Sequence, residues 1–231
     1  MKLPPLTRGT LLRRYKRFLA DVRLEDGREI TAHCANPGRM TSCQEPGWPV
    51  WLSWHGNTKR KLKWSWELTR NPDDAWILIN TARPNHVVRE GIEAGLVEGL
   101  SGDIRTEVKV GDSRIDLVVD DALVEVKSVT LMHAPGEASF PDAPTERGRK
   151  HLAELAKAAR SGRRAVLFWM LSRDDCSSVC PADHVDPMYG QALRSAVADG
   201  VEVLAYAMEV SEREITLGSA IEVILEGPSG V

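Results

Sequence analysis

Apolar and polar residues alternate in short runs over the first 80 positions, which is the pattern of β-strands rather than helices. Turn-forming residues interrupt the runs at Gly27, 36–38, 46–47 and 71–72. About five strands in a segment of this length predict a small barrel of the OB type. The predicted strands lie in RYKRFLADVRL, REITAHC, WPVWLSW, KLKWSWEL and AWILIN.

Helical and strand-like segments alternate in the remainder of the chain. A helix over 85–95 precedes three strand runs, and a second helix over 146–160 has Thr145 as its predicted N-cap. A strand, a helix over 187–199 and a last strand follow. This order predicts a mixed sheet covered by helices. We therefore predict an α+β or α/β protein with an OB-like basic β-barrel domain over 1–82 and a mixed-sheet domain over 83–231.

The runs RIDLVVD and ALVEVKS form the most informative segment, because they predict a β-hairpin that carries acidic residues. If Asp120 and Asp121 form its two-residue turn, Asp116 lies directly opposite Glu125. The Cβ atoms of such cross-strand neighbours are about 4.5–5.5 Å apart. Lys127 then lies beside Glu125, because side chains two positions apart share one face of a strand.

Adjacent carboxylates repel each other, so a protein that keeps them together usually supplies a cation. Hard oxygen ligands suit Mg²⁺ or Mn²⁺, which is the predicted cofactor. Such an ion stabilises charge on a phosphate and lowers the pKa of a water molecule, which Lys127 would position. The alternative is a solvated face of the sheet, with Asp116 and Glu125 exposed and Lys127 as their surface partner.

An Asp followed by Glu-x-Lys on a hairpin, with flanking elements in the order α-β-β-β-α-β, resembles the PD-(D/E)xK nuclease superfamily. One departure is Ile115, which stands where the superfamily has proline. The resemblance implies a further acid from the preceding helix. Glu90 is at that position, Glu93 is the near alternative, and an exposed helical carboxylate without a site role also remains open. The predicted catalytic set is Glu90, Asp116, Glu125 and Lys127, and the predicted metal ligands are Asp116, Glu125 and Glu90.

The start of the second predicted helix brings two further polar residues toward the hairpin. Arg147 and His151 are four positions apart, so they lie on one face near the helix N-terminus. Arginine suits bidentate phosphate binding, and a helix N-terminus also favours anions. We predict substrate-binding roles for both residues. A half-buried structural histidine is an equally open interpretation of His151.

Charge is distributed unevenly along the chain. The formal net charge is −3, but residues 1–80 carry 14 Lys and Arg against 8 Asp and Glu. Such a basic segment suits contact with phosphates, although solvated faces are the alternative. Six of the seven tryptophans also lie in this segment; packing in the barrel is favoured for them, with contact to DNA as the alternative. The predicted DNA-binding residues are Arg13, Arg14, Lys16, Arg17, Arg39, Lys59, Arg60 and Lys61.

Several longer motifs resemble, in order, those of the sugar fermentation stimulation protein A (SfsA) family. The resemblance implies an OB-like domain followed by a nuclease-like domain. It also implies DNA binding without sequence preference and an association with sugar (maltose) metabolism genes. The sequence departs from the family pattern at Ala35, Arg39 and Pro144. The motifs are RYKRFLADV, TAHCANPGRM, NTKRKL, WEL, NT, SRID, VEVKSVTL, FPDAPTERGRKHL and PAD.

Two classes of function remain in competition. The first is an Mg²⁺- or Mn²⁺-dependent DNA nuclease, and the second is a non-catalytic DNA-binding regulatory factor associated with sugar metabolism. We expect a cytoplasmic protein with no membrane partner, because no apolar run reaches the roughly 18 residues of a membrane span and the N-terminus lacks signal-peptide features. The four cysteines form no CxxC pair, which predicts free thiols. The oligomeric state stays open, with a homodimer as one alternative.

Overall fold

The computed structural model describes residues 1–111 and 113–228, and its first part is a closed five-stranded barrel. Strand β1 pairs with β2 and β4, β2 with β3, and β4 with β5, all antiparallel. Parallel pairing of β3 with β5 closes the barrel, and β6 extends β5 outside it. The predicted OB-type barrel is therefore confirmed. Its strands are β1 Leu6–Tyr15, β2 Leu19–Leu24, β3 Glu29–Cys34, β4 Pro49–Trp54, β5 Trp64–Arg70 and β6 Trp76–Leu78.

One predicted strand is in fact a hairpin. The run RYKRFLADVRL turns back on itself at residues 16–18, and its two halves belong to β1 and β2. Lys16 and Arg17 have φ angles of 48° and 64°, in the left-handed region. Sequence patterning missed this turn because neither residue is a usual turn former. The basic run is therefore partly on a loop rather than wholly on a strand.

The second part has the predicted order of helices and strands, with additional short strands. The helices are amphipathic, and Thr145 is the N-cap of α2, with its hydroxyl accepting a hydrogen bond from the Gly148 N–H. Within the described ranges no helix has the length and apolarity to cross a membrane. The elements are α1 Pro84–Glu93, β7 Ile104–Val110, β8 Ser113–Val119, β9 Ala122–Val129, β10 Leu131–Ala134, β11 Glu137–Phe140, α2 Glu146–Arg160, β12 Ala165–Leu171, β13 Ser178–Pro181, α3 Pro187–Ala198, β14 Glu202–Val210, β15 Ile215–Ala220 and β16 Glu222–Val223.

A mixed six-stranded sheet is the centre of this part, in the order β15-β14-β12-β9-β8-β7. Strands β9, β12 and β14 are parallel, and the outer pairings are antiparallel. Every residue of β12 is buried, because alternate side chains enter separate apolar cores on the two faces of the sheet. A central parallel strand covered on both faces is expected to be continuously apolar, as AVLFWML is.

A smaller sheet was not predicted from the sequence. It has the order β10-β11-β13-β16, and its strands contain only two to four residues each. Runs of this length are too short to show an alternating pattern. Strands β10 and β11 lie between β9 and α2, so they extend the simple α-β-β-β-α-β order without changing it.

Polar contacts join the barrel to the second part. Fully buried Arg173 pairs with Asp175 and donates to the Thr130 carbonyl at 2.9 Å and to the Ser42 hydroxyl at 3.2 Å. The Asp142 carboxylate accepts the Met40 N–H at 3.1 Å. It lies so close to the backbone at position 38 that any β-carbon there would collide with it, which accounts for Gly38. These contacts hold the barrel against the second part, and a cleft lies between the barrel and the sheet.

Candidate active site

The acidic hairpin has the register predicted from the sequence. Val119 pairs with Ala122, Val118 with Leu123 and Leu117 with Val124, around a turn at residues 120–121. Asp116 and Glu125 are next in this register. The ladder ends there, and the Asp116 carboxylate accepts the Val126 N–H at 2.9 Å. Beyond this point β9 no longer pairs with β8 but stays paired with β12. Both acidic residues therefore lie where β8 separates from β9.

Glu125 is the most enclosed member of the site, with 1% of its surface exposed. Lys127 Nζ lies 2.5 Å from Glu125 Oε1, as expected for two side chains on the same face of β9. His151 Nδ1 contacts the same oxygen from α2. The second oxygen, Oε2, is buried and has no hydrogen-bond partner among the described residues. One side of this carboxylate is therefore firmly held and the other is free to bind a ligand.

His151 has polar neighbours at both of its ring nitrogens. Arg147 Nε lies 3.4 Å from His151 Nε2, on the side of the ring that points away from Glu125. Nδ1 faces Glu125 Oε1 and also lies 3.2 Å from Lys127 Nζ, so His151, Lys127 and Glu125 form one polar cluster. Helix α2 holds His151 in place because Leu152 and Leu155, on the same side, are buried against the sheet. Both residues predicted on α2 are thus brought to the acidic pair.

Electrostatics distinguishes the two carboxylates. Burial tends to raise the pKa of Glu125, but the hydrogen bond from His151 and the charge of Lys127 outweigh it and lower that pKa. For Asp116, burial and the nearby charge of Glu125 raise the pKa above its ordinary value. Lys127 only partly offsets this, and Asp116 forms no salt bridge with any described residue. The pair therefore carries negative charge that the described side chains do not fully neutralise.

Helix α1 supplies an amide to the site rather than the expected acid. Asn85 Nδ2 donates to Asp116 Oδ1 at 2.9 Å. Glu90 is 45% exposed and pairs with the Met1 ammonium group at 2.7 Å. Five positions correspond to a rotation of about 140° around a helix, so Glu90 lies on a different side from Asn85. The grouping of Glu90 with Asp116 is therefore corrected, and the alternative Glu93 pairs with Arg89 instead.

Sequence reasoning missed Asn85, although a signal for it existed. It is in the first turn of α1, the position that Arg147 has in α2.

The described ranges contain no group of three His, Cys, Asp or Glu side chains that could hold a metal ion. Asp116 and Glu125 are the acidic side chains of the hairpin that a cation could reach; Asp142 also lines the cleft but accepts the Met40 N–H.

These groups lie in a cleft of about 490 Å³ between the barrel and the sheet. Its barrel side includes Arg17 and residues 36–38, and its other side includes Lys127 and exposed Arg147. The NPG segment of the barrel and the FPDAPT segment before α2 both line it, so motifs far apart in the sequence meet here. A chain of phosphates would have basic side chains on both walls.

The predicted DNA-binding residues divide into different groups. Arg14 donates to the carbonyl oxygens of Arg17, Asn36 and Gly38 at 2.9–3.0 Å, so it braces a loop and is not available to a phosphate. This corrects its predicted role. Arg13 pairs with Asp21, and Arg60 donates to Ser65. The exposed residues without a side-chain salt bridge in the described ranges are Lys16, Arg17, Arg39, Lys59 and Lys61.

The tryptophans of the barrel differ in exposure. Trp51 and Trp66 are buried, as barrel packing predicts. Trp54 is 54% exposed at the end of β4, where its ring meets that of Trp64 at a centroid distance of 4.8 Å. The preference for packing was therefore wrong for Trp54.

Comparisons with known proteins agree over nearly the whole chain. A family model described as "SfsA N-terminal OB domain" matches residues 12–79, and one described as "Sugar fermentation stimulation protein RE domain" matches residues 82–214. A relative from Geobacter sulfurreducens, named "Sugar fermentation stimulation protein homolog", is 52% identical over 97% of this chain and 99% of its own. One from Acidithiobacillus ferrooxidans with the same name is 47% identical over 95% and 98%.

A solved structure is also similar to the whole chain. It is described as "The structure of Pyrococcus Furiosus SfsA in complex with Ca2+" and has a TM-score of 0.85 and 27% identity. The match covers 97% of this chain and 98% of that one. The order of a barrel followed by a mixed-sheet part is therefore shared by both proteins.

Proposed function

The chain belongs to the sugar fermentation stimulation protein (SfsA) family, and we propose that it is a divalent-metal-dependent nuclease that binds DNA with little sequence preference. The observation that carries the proposal is the pair Asp116 and Glu125, with Lys127 beside it, at the base of a cleft with basic residues on both walls. Buried acids that lack full neutralisation and line a cleft are candidates for catalytic chemistry.

The chemistry of the site fits Mg²⁺ or Mn²⁺. Glu125 Oε2 is a buried oxygen with no hydrogen-bond partner among the described residues, and a cation would satisfy it. Mg²⁺ is commonly bound through one or two carboxylates, with waters and substrate phosphates as its other ligands, so two acids suffice. The Pyrococcus furiosus relative was solved with Ca²⁺, another ion that prefers oxygen ligands. Asp116 and Glu125 would hold the ion.

The neighbouring side chains have separate tasks in this proposal. A bound ion would stabilise charge on the scissile phosphate and lower the pKa of a water molecule. Lys127 orients that water and offsets the negative charge that develops during the reaction. His151 and Asn85 keep the two carboxylates in position through their hydrogen bonds. Arg147, exposed on the cleft wall, binds a phosphate oxygen of the substrate.

Low sequence preference follows from the surface that meets the DNA. The exposed basic residues Lys16, Arg17, Arg39, Lys59 and Lys61 lie on loops of the barrel. Contacts to phosphates position a protein on DNA but do not read its sequence. No described helix belongs to the barrel, so a recognition helix in a DNA groove is not available there.

Incubation with supercoiled plasmid and with circular single-stranded DNA, in Mg²⁺, Mn²⁺ or EDTA, tests the proposal. We expect cleavage that requires a divalent ion and falls at least about a hundredfold in Asp116→Asn and in Lys127→Ala, because each removes a group acting on the reacting phosphate. Glu90→Gln is the matched control, since it also changes a carboxylate to an amide but lies outside the site. It should cleave like the parent.

Two outcomes of the cleavage assay would contradict this proposal. DNA binding without divalent-dependent cleavage of either substrate would indicate the alternative, a non-catalytic DNA-binding factor. An equal loss of cleavage in Glu90→Gln would mean that the catalytic site does not lie at the acidic hairpin.

A further inference from the structure

Asn36 differs from the other residues on the barrel side of the cleft, because it is nearly buried and yet has an unused donor. It follows β3 and is 4% exposed. Its Oδ1 accepts the Gly38 N–H at 2.9 Å, which fixes the orientation of the amide. Its Nδ2 has no hydrogen-bond partner among the described residues. A buried donor without a partner is costly, so a ligand with an acceptor atom would compensate it.

The loop that carries Asn36 is held by several hydrogen bonds and has positive charge behind it. The Arg14 guanidinium donates to the carbonyl oxygens of Asn36 and Gly38, each at 2.9 Å. Arg14 forms no salt bridge with any described residue. Asp142 also lines the cleft, but its carboxylate accepts the Met40 N–H from this loop. A donor held in place next to an unpaired cation suits an anion better than a neutral group.

The start of α1 lines the same cleft and lies close to this loop. The Thr81 hydroxyl donates to the Ala35 carbonyl, which joins the segment before α1 to the residue before Asn36. Pro84 has no N–H, so the first free N–H of α1 is that of Asn85, which makes no hydrogen bond with any described residue. No described side chain caps this helix end, and its first turn has no acidic residue. Such a helix end favours an anion.

We propose that Asn36 Nδ2 and the Asn85 N–H form a phosphate subsite, which binds a phosphate group of the substrate strand beside the scissile one. This assignment rests on the function proposed above, to which it adds a contribution of the barrel. The Asn85 side chain donates to Asp116, so the subsite adjoins the acidic pair. Arg147 lies on the other side of the cleft, so the strand is held from both sides. Contacts of this kind position a strand without reading its bases.

Fluorescence anisotropy of a labelled hairpin duplex, measured in EDTA over a range of salt concentrations, tests this assignment. Asn36→Ala should bind at least about fivefold more weakly at every salt concentration, because it removes a hydrogen bond to a phosphate. The log–log salt slope should stay within about 0.3 of the parent, since an uncharged donor releases no counterion. Arg147→Ala should instead reduce the slope by about 0.9, because it removes a cation.

Asn36→Asp and Gln44→Glu separate direct contact from the effect of added charge. Both change an amide of the β3–β4 loop to a carboxylate, and each keeps the hydrogen bond that its oxygen accepts, from Gly38 or from Arg14. Gln44→Glu loses only an exposed hydrogen bond to the Arg39 carbonyl. Gln44 is not among the described residues that line the cleft. It should therefore weaken binding less than about twofold, since salt screens its charge, whereas Asn36→Asp should weaken binding at least about tenfold.

Parent-like binding by Asn36→Ala would overturn the assignment, as would equal weakening in Asn36→Asp and Gln44→Glu. Asn36→Asp keeps its bond to Gly38, so it reports on the contact even if a lower melting temperature shows that Asn36→Ala is destabilised. These titrations do not depend on cleavage. Weaker binding by the Asn36 variants of a protein that does not cleave DNA would contradict only the proposed catalysis. Parent-like variants of a protein with divalent-dependent cleavage would contradict only the subsite.

Discussion

Two glutamates are almost fully buried in this protein, and their surroundings differ in one important respect. Glu67 on β5 is 0% exposed, and both of its oxygens are bound. Ser53 and Arg83 donate to Oε1 at 2.6 and 2.9 Å, and Asn80 and Arg83 donate to Oε2 at 2.9 and 3.0 Å. Glu125 on β9 has two partners on one oxygen and no described partner on the other.

The comparison separates a structural carboxylate from one that is available for chemistry. Burial of a charge is costly unless hydrogen bonds and an opposite charge compensate it. Around Glu67 the barrel and the residue before α1 provide that compensation completely, so the ion pair joins the two parts of the fold. Around Glu125 it is incomplete, and a second acid, Asp116, adds repulsion. A negative charge that is incompletely compensated and lies next to a cleft is what the proposed cation site requires.

The largest expected effect comes from removing the cation of the structural pair. Arg83→Met should lower the free energy of unfolding by about 3 kcal/mol, because it leaves the buried Glu67 charge unpaired. Asp116→Asn should change it by less than about 1 kcal/mol in the absence of metal, since it removes a charge that forms no salt bridge with any described residue. Chemical denaturation in EDTA measures both. Similar losses in the two variants would contradict the distinction between the clusters.

Metal binding should produce the next largest effect. At ten times the dissociation constant, Mg²⁺ or Mn²⁺ should stabilise the native state by about 1.4 kcal/mol. For a chain of this length we expect a rise in melting temperature of about 4 °C. Asp116→Asn should lose the rise and Glu90→Gln should keep it. A full rise in Asp116→Asn, or no heat of binding to the parent at millimolar metal, would exclude the proposed metal site.

The smallest expected effect is a change in how stability depends on pH. Burial favours a higher pKa for Glu67, but the hydrogen bonds and charge of Arg83, with the bond from Ser53, outweigh it and lower the pKa. The unfolded chain then takes up a proton at a higher pH, near 4.3, than the folded one does. The stabilisation from Glu67 is therefore complete above that pH and is lost as the pH falls through the lower, folded pKa.

Glu67→Gln should accordingly be less stable than the parent at neutral pH and lose less stability on acidification. Glu98→Gln, an exposed carboxylate without a salt bridge among the described residues, is the control and should follow the parent. Denaturation between about pH 6 and pH 3 measures both slopes. A parent-like slope in Glu67→Gln would mean that other groups control acid unfolding.

Local patterns explain why much of the fold and part of the site could be predicted. The strands around Asp120–Asp121 alternate regularly, and the period of two fixes which residues share a face, so the opposition of Asp116 and Glu125 followed directly. The α2 helix had a clear N-cap in Thr145. The turn at Lys16 and Arg17 and the short strand β13 had no such signal, because their conformations depend on pairing with distant strands.

The sequence by itself determined the barrel, the acidic hairpin and the placement of Lys127, because each depends on spacing within one short segment. Only the tertiary structure decided which distant groups complete the site. It brought Asn85 rather than Glu90 to Asp116, and it used Arg14 as a brace while leaving Trp54 exposed. Such choices depend on the rotation of a helix against the sheet and on contacts between elements far apart in the chain. The packing of the whole protein determines both.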